Sequence, residues 1–140
     1  MAITSVDILF KFSVVAAAGN TNAGTAATSL GDQISTTQIT DATLNNLFDD
    51  VTGDENAASD VEYRCIFVHN AHATLTWQNV VVWLSAEVGG GASVAIAIDD
   101  FAASPIGQAS AQADVIADEG TAPGAGVGSF SSPTTKGTGL

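Results

Sequence analysis

Basic residues are nearly missing from this chain. Of 140 residues only Lys11, Arg64 and Lys136 carry a positive side chain, against 15 acidic ones, for a formal net charge of −12. Nucleic-acid binding draws on Lys and Arg to neutralise phosphates and release counterions, so DNA and RNA are excluded as direct partners. An anionic membrane surface is excluded on the same ground. The single cysteine, Cys65, cannot close an internal disulfide and fits synthesis in a reducing compartment. Proline is scarce (three residues), which removes a polyproline linker from consideration. No uncharged apolar run reaches the roughly 18 residues of a membrane-spanning helix. Asp7 and Lys11 interrupt the first apolar stretch and argue against a secretory leader, although "VVAAAG" has the small residues of a cleavage site.

What is present reads mainly as strand. In "VDILFKFSVV", Ile8, Phe10, Phe12 and Val14 fall on one face and Asp7, Lys11 and Ser13 on the other, the period-two pattern of a half-buried antiparallel strand. Residues 20–35 are small and polar and read as a flexible loop. "TDATLNNLFDDVTG" is the best helical segment: Thr40 or Asp41 as cap, Leu44, Leu47 and Phe48 turned inward, Gly53 as terminator. "DENAASD" follows as an acidic loop. "VEYRCIFVHN" and "LTWQNVVVWLSAE" then read as two strong strands joined near "AHAT", with "VVVWL" as a central run covered on both faces. "SVAIAID" and "GQASAQADVIADE" alternate again, the latter placing Ala109, Ala111, Ala113, Val115 and Ala117 on one side. "SFSSP" reads as a short strand, and about 120–140 as a C-terminal tail. The expected fold is all-β: one domain spanning 1–140, an antiparallel β-sandwich of about six to eight strands with little helix, immunoglobulin-like or jelly-roll. Apolar residues make up 46% of the chain, but much of that is alanine, so the core between the sheets is expected to be thin.

The stretch Val61–Glu87 concentrates Arg64, Cys65, both histidines and both tryptophans, yet no catalytic set assembles from it. His69 and His72, three apart, supply two imidazoles where zinc takes three or four ligands. Cys65 lies in an apolar strand of an acidic protein, which is the opposite of what a reactive thiolate needs. Asp49, Asp50, Asp54 and Asp60 are weak candidates for calcium, because their spacing departs from an EF-hand loop. The glycine-rich "GNTNAG" and "GGGAS" lack the Lys-Ser/Thr of a phosphate cradle. Neither an enzymatic activity nor a cofactor is expected. Trp77 and Trp83 are six apart and share a face of an extended strand. Trp83 reads as core, whereas Trp77 serves equally as core or, with His72, as a partner-binding platform.

"SLGDQIS", "LFDDVTGDENAASDVEYRCIFVHNAHATLTWQNVVVWL" and "SSPTTKGTGL" together resemble a group of small virion structural proteins of tailed bacteriophages. The "LFDDVTG" box, the "EYRC" strand and an Asn-containing turn carry the resemblance, which is closest over Leu47–Leu84. Such proteins continue past the equivalent of "TTKGTGL" with a further glycine turn and strand. The resemblance implies a non-enzymatic particle protein made in the host cytoplasm, and charge suggests where it sits. A domain at −12 is repelled from packaged DNA inside a shell, so the expected place is the outer capsid surface, as a decoration or cement protein. Its partner would be the major capsid protein, with self-association for which a trimer at three-fold positions is the natural match. A tail or baseplate structural protein and a carbohydrate-binding or adhesin sandwich are the alternative readings.

Overall fold

The computed structural model describes residues 2–15, 21–86, 91–101 and 110–140. Its regular elements are a 3-10 turn at Ser5–Asp7, strand β1 (Ile8–Val14), strand β2 (Gln33–Gln38), a short helix α1 (Gly53–Ala58) and strand β3 (Ile66–Asn70). The three strands form one antiparallel sheet in the order β2-β1-β3. The chain among these residues is mostly non-helical.

β1 forms where its alternation predicts. Its register with β3 sets Ile8 opposite Asn70, Phe10 opposite Val68 and Phe12 opposite Ile66 on one face. Leu9 opposite His69 and Lys11 opposite Phe67 occupy the other face. Burial along β1 is uneven. Phe12, Ser13 and Val14 are buried, while Ile8 and Phe10 are exposed.

Ser13, expected on a polar outer face, is fully buried. Residues 29–31 lie over it: Ser13 N donates to Ser29 Oγ (3.0 Å), and Gly31 N donates to Ser13 Oγ (2.8 Å). Ser29 also wedges against the start of β3. Its Oγ donates to the Cys65 carbonyl (2.6 Å) and its own carbonyl accepts from Cys65 N (2.7 Å). A polar face is thereby buried with its donors and acceptors met, which is the condition for burying it cheaply.

Gly31 (φ 93°) and Asp32 (φ 68°) then turn the chain into β2 through two consecutive left-handed residues. A Cβ on Gly31 would lie 1.9 Å from the Asp114 carbonyl oxygen, so only glycine fits here. Residues 112–116 run alongside: Gln112 N and Ala113 N both donate to the Asp32 carbonyl, Ile116 N donates to Leu30, and Gln112 Oε1 accepts from Ile34 N. Phe12, Val14, Ile34, Ala113 and Ile116 are the buried apolar side chains. The thin core thus sits at one end of the sheet.

Several sequence expectations shift. β2 begins inside the stretch expected to be loop, and its buried Gln33–Ser35 belong to the closed end of the sheet. The helix expected over residues 40–53 is replaced by turns, with left-handed residues at Ala42 and Asn45 and Leu44 left 90% exposed. The helix that forms, α1, lies in the expected acidic loop and starts at Gly53 rather than ending there. Thr52 is its cap: Thr52 Oγ1 accepts from Glu55 N (3.3 Å), and Thr52 N donates to Glu55 Oε2 (2.6 Å). This reciprocal T-x-x-E arrangement satisfies two orphan amides at once, which the apolar spacing of Leu44, Leu47 and Phe48 could not do.

Residues 74–86 form no regular strand, and Val80 and Val81 are exposed, so "VVVWL" is not covered on both faces. Among the described residues, the expected 93–99, 107–119 and 129–133 strands reduce to isolated bridges, Ile96 with Ser131, Asp99 with Val127, and Asp32 with Ala113; residues 107–109 lie outside the described residues. Ala109 lies outside the described residues. Of its expected face only Ala113 is buried; Ala111, Val115 and Ala117 are exposed, while Gln112 is buried. The segment expected as a tail is docked at its end: Val82 and Leu140 exchange both backbone hydrogen bonds (2.8 and 2.9 Å), and Leu84 N donates to Pro133. A six-to-eight-stranded sandwich goes beyond these three strands and is taken up below.

Candidate functional site

Four groupings of side chains could carry a function, and each has a distinct construction. The first centres on Arg64, whose side chain is only 6% exposed. Its Nη2 donates to Glu119 Oε2 (2.7 Å) and lies 3.5 Å from Glu62, its Nη1 donates to the Tyr63 carbonyl, and its guanidinium stacks 5.7 Å from the Phe48 ring centroid. Glu62 is held above the usual carboxylate range, mainly by burial, with Asp49, Glu119 and Glu55 adding repulsion and Arg64 opposing it. The chain's sole buried guanidinium among the described residues therefore ties the segment before β3 to the residues around 48 and 119. This is a structural clamp.

The second grouping is the "HNAH" connection. Asn70 Oδ1 accepts from His72 N, Asn70 Nδ2 donates to the Leu75 carbonyl, and His72 Nδ1 accepts from both Thr74 N and Leu75 N. His72 is thus spent on holding a turn. His69 points to the opposite side of β3 from Val68, alongside Lys11, and burial first and Lys11 second lower its pKa. The two imidazoles do not converge on a metal position.

Third, Asp99, Asp100 and Asp114 place carboxylate oxygens within 4.8 Å of one another. Asp99 Oδ1 accepts from Phe101 N (2.9 Å) and Oδ2 from Asp114 N (2.8 Å). Gly126 packs against the group, where a Cβ would sit 2.0 Å from Asp114 Oδ2 and 3.0 Å from Asp100 Oδ1. Sequence reasoning placed the acidic candidates elsewhere: Asp49, Asp50, Asp54 and Asp60 are all exposed and form no such group. A contact between residues 99 and 114 leaves no local signal in the chain. As a donor set, three carboxylates fall short of the six to eight oxygens calcium takes, and both Asp99 oxygens are already engaged.

The fourth is apolar. Ile8, Phe10 and Val68, on one face of the sheet, stand across a cavity of about 630 Å³ from Trp77, Val80 and Trp83. Trp77 and Trp83 both line this space and both are half-buried, so Trp83 is not packed in a filled core. Trp77 Nε1 is buried with no acceptor. Cys65, by contrast, is chemically quiet. Burial pushes its thiol up to about 12, with Asp99 adding to the effect and Ser13 opposing it, so almost none is thiolate at neutral pH.

Among the described residues no helix is long and apolar enough to cross a membrane. Comparison of the chain with protein-family models, curated proteins and solved structures gives no match.

Proposed function

We propose that this chain is a non-enzymatic structural protein of a virion, a decoration or cement protein that binds the outer surface of the major capsid protein lattice and stabilises the shell. The observation that carries the reading is the imbalance between inside and outside. Five apolar side chains are buried among the described residues, while Val6 (78% exposed), Leu44 (90%), Val51, Val61 and others stand in solvent on a strongly acidic protein. Exposed apolar side chains on a charged surface are available for burial against a partner. Charge then favours the outside of a shell over its DNA-filled interior. The resemblance of Leu47–Leu84 to small virion proteins supports the same reading. Stabilisation would follow from mass action: a protein that binds only the assembled lattice favours that lattice, given roughly 1,000 Å² or more of contact.

The finer fold belongs to this proposal. Extended pairings at Val82–Leu140, Ile96–Ser131, Asp99–Val127 and Asp32–Ala113 favour a second layer facing the sheet, as in an immunoglobulin-like or jelly-roll sandwich. Self-association as a trimer would match three-fold positions on a shell.

The test is copy number. Purified particles separated into their proteins should contain this chain at one copy per capsid subunit or a simple fraction of it. A handful of copies per particle would move it to the tail or baseplate, and absence from particles would overturn the virion reading.

A further inference from the structure

We propose that the outer edge of β3 is a strand-addition site for an extended, basic-ended segment of a partner protein. In an antiparallel pair, opposed residues alternate between exchanging backbone hydrogen bonds and pointing them away from each other. Ala71 N donates to the Asp7 carbonyl, and the Phe10 carbonyl accepts from Ile39 N on the β2 side. Both bonds fix the same phase. The backbone N–H and C=O groups of Ile66, Val68 and Asn70 therefore point away from β1, toward the side of the sheet that carries no further strand among the described residues. No backbone partner meets them there among the described residues. An unpaired edge of this kind is a template for another strand.

Space for that strand is present. A cavity of about 690 Å³ touches every residue from Cys65 to Asn70, odd and even alike, so it opens along the strand's edge, and it continues over one face of the sheet to Phe10 and Ile34. Its far wall includes Thr76, Trp77, Val80, Val82, Ile98 and Asp99. From the rise of a strand and the spacings between strands and sheets, one strand residue fills roughly 160 Å³. The whole cavity thus takes at most about four residues of extended chain, and the part along the β3 edge fewer. The wall is largely apolar, and Trp77 adds an indole N–H that is buried without an acceptor, the kind of donor that a strand carbonyl satisfies.

Charge selects the occupant. Asp99 both lines the channel and belongs to the three-carboxylate group with Asp100 and Asp114, and no Lys or Arg among the described residues pairs with them. Asp99 acts on the Cys65 thiol, which places the acidic group toward the Cys65 end of β3. The fitting segment alternates apolar and small residues and carries Lys or Arg where it passes Cys65. A second copy of this chain, itself at −12 with three basic residues, is a poor match. Such recognition takes affinity from main-chain hydrogen bonds and specificity from alternate side chains. The inference goes beyond the virion reading and stands whether or not the partner is a shell subunit.

The probe is an eight-residue peptide alternating Thr and Val between terminal Lys residues, titrated into the full chain while tryptophan emission and backbone amide exchange are followed. Saturable binding is expected, with exchange at Ile66, Val68 and Asn70 slowed at least about tenfold, roughly the loss of one or two hydrogen bonds in reverse. Methylating alternate peptide amides, or replacing both Lys by Glu, should each weaken binding about tenfold or more. The proposal is overturned if the methylated peptide binds equally well, or if the three amides are already protected in the free monomer. It is equally overturned if no peptide binds at millimolar concentration, or if protection appears only as the chain dimerises in sedimentation.

Discussion

The two ends of β1 are built on opposite principles. At the Val14 end, Phe12 and Val14 pack with Ile34, Ala113 and Ile116, and the polar residues between them are buried as fully as the apolar ones because Ser13 and Ser29 satisfy each other. At the Ile8 end, Ile8 and Phe10 are exposed and look across an open cavity at two tryptophans. The same alternating sequence runs through both ends. What separates them is whether a second segment arrives with matching hydrogen-bond partners. The closed end makes the fold, and the open end leaves apolar surface uncovered among the described residues.

The sharpest way to break this comparison is to truncate one aromatic at each end. Phe12→Ala should cost about 3–5 kcal/mol of unfolding free energy, as for a buried large-to-small change, while Phe10→Ala should cost about 1–2 kcal/mol, because Phe10 is 36% exposed and buries only part of its apolar surface. Equal losses in denaturant titrations would show that the Ile8 end is also core. A pair of glycines gives the next largest contrast. Gly31→Ala combines a left-handed φ of 93° with a backbone clash at Asp114 and should cost more than about 2 kcal/mol. Gly137→Ala shares a positive φ (83°) but meets nothing within 4 Å, so only the left-handed strain of about 1–2 kcal/mol remains. Ser29→Ala should cost about 1–3 kcal/mol, since it strands the buried Ser13 N–H, and Ser29→Thr should not restore it if the wedge is as tight as its 2.6 Å bond to Cys65 implies.

The acidic clamp offers the smallest effects and a sign test. Glu119→Gln weakens the nearer partner of the buried Arg64 and should cost about 1–2 kcal/mol. Glu62 behaves oppositely. Its carboxyl is raised above the ordinary 4.5, so its contribution is present below that pH and is lost as pH rises through the folded value. Ionised Glu62 is therefore a liability at neutral pH. Glu62→Gln should leave the Tm at pH 7 unchanged or raised and flatten its rise on mild acidification; a lowered Tm would show that the 3.5 Å contact with Arg64 dominates.

Legibility in the sequence followed the range of the interaction. β1 was readable because its alternation is local, and so was the centre of β3. The Thr52–Glu55 capping box was equally local and outranked the apolar spacing of Leu44, Leu47 and Phe48 that pointed to a helix earlier in the chain. Ser29, Ser13 and Cys65 were not readable as one unit, since contacts 16 and 36 residues apart leave no periodic trace. The grouping of Asp99 with Asp114 was hidden for the same reason. Trp77 and Trp83 line one cavity although residues 74–86 form no strand and Asn79 between them is left-handed, so their even spacing is not what brings them there.

One measurement reaches the central claim directly: site-resolved amide exchange on the isolated monomeric chain. Ser13, Gly31 and Ile34 at the closed end, and the inward amides of Phe67 and His69, should exchange far more slowly than the outward amides of Ile66, Val68 and Asn70. Equal protection of the inward and outward amides of β3 would mean that the edge is already covered by the chain itself, which would contradict an open edge.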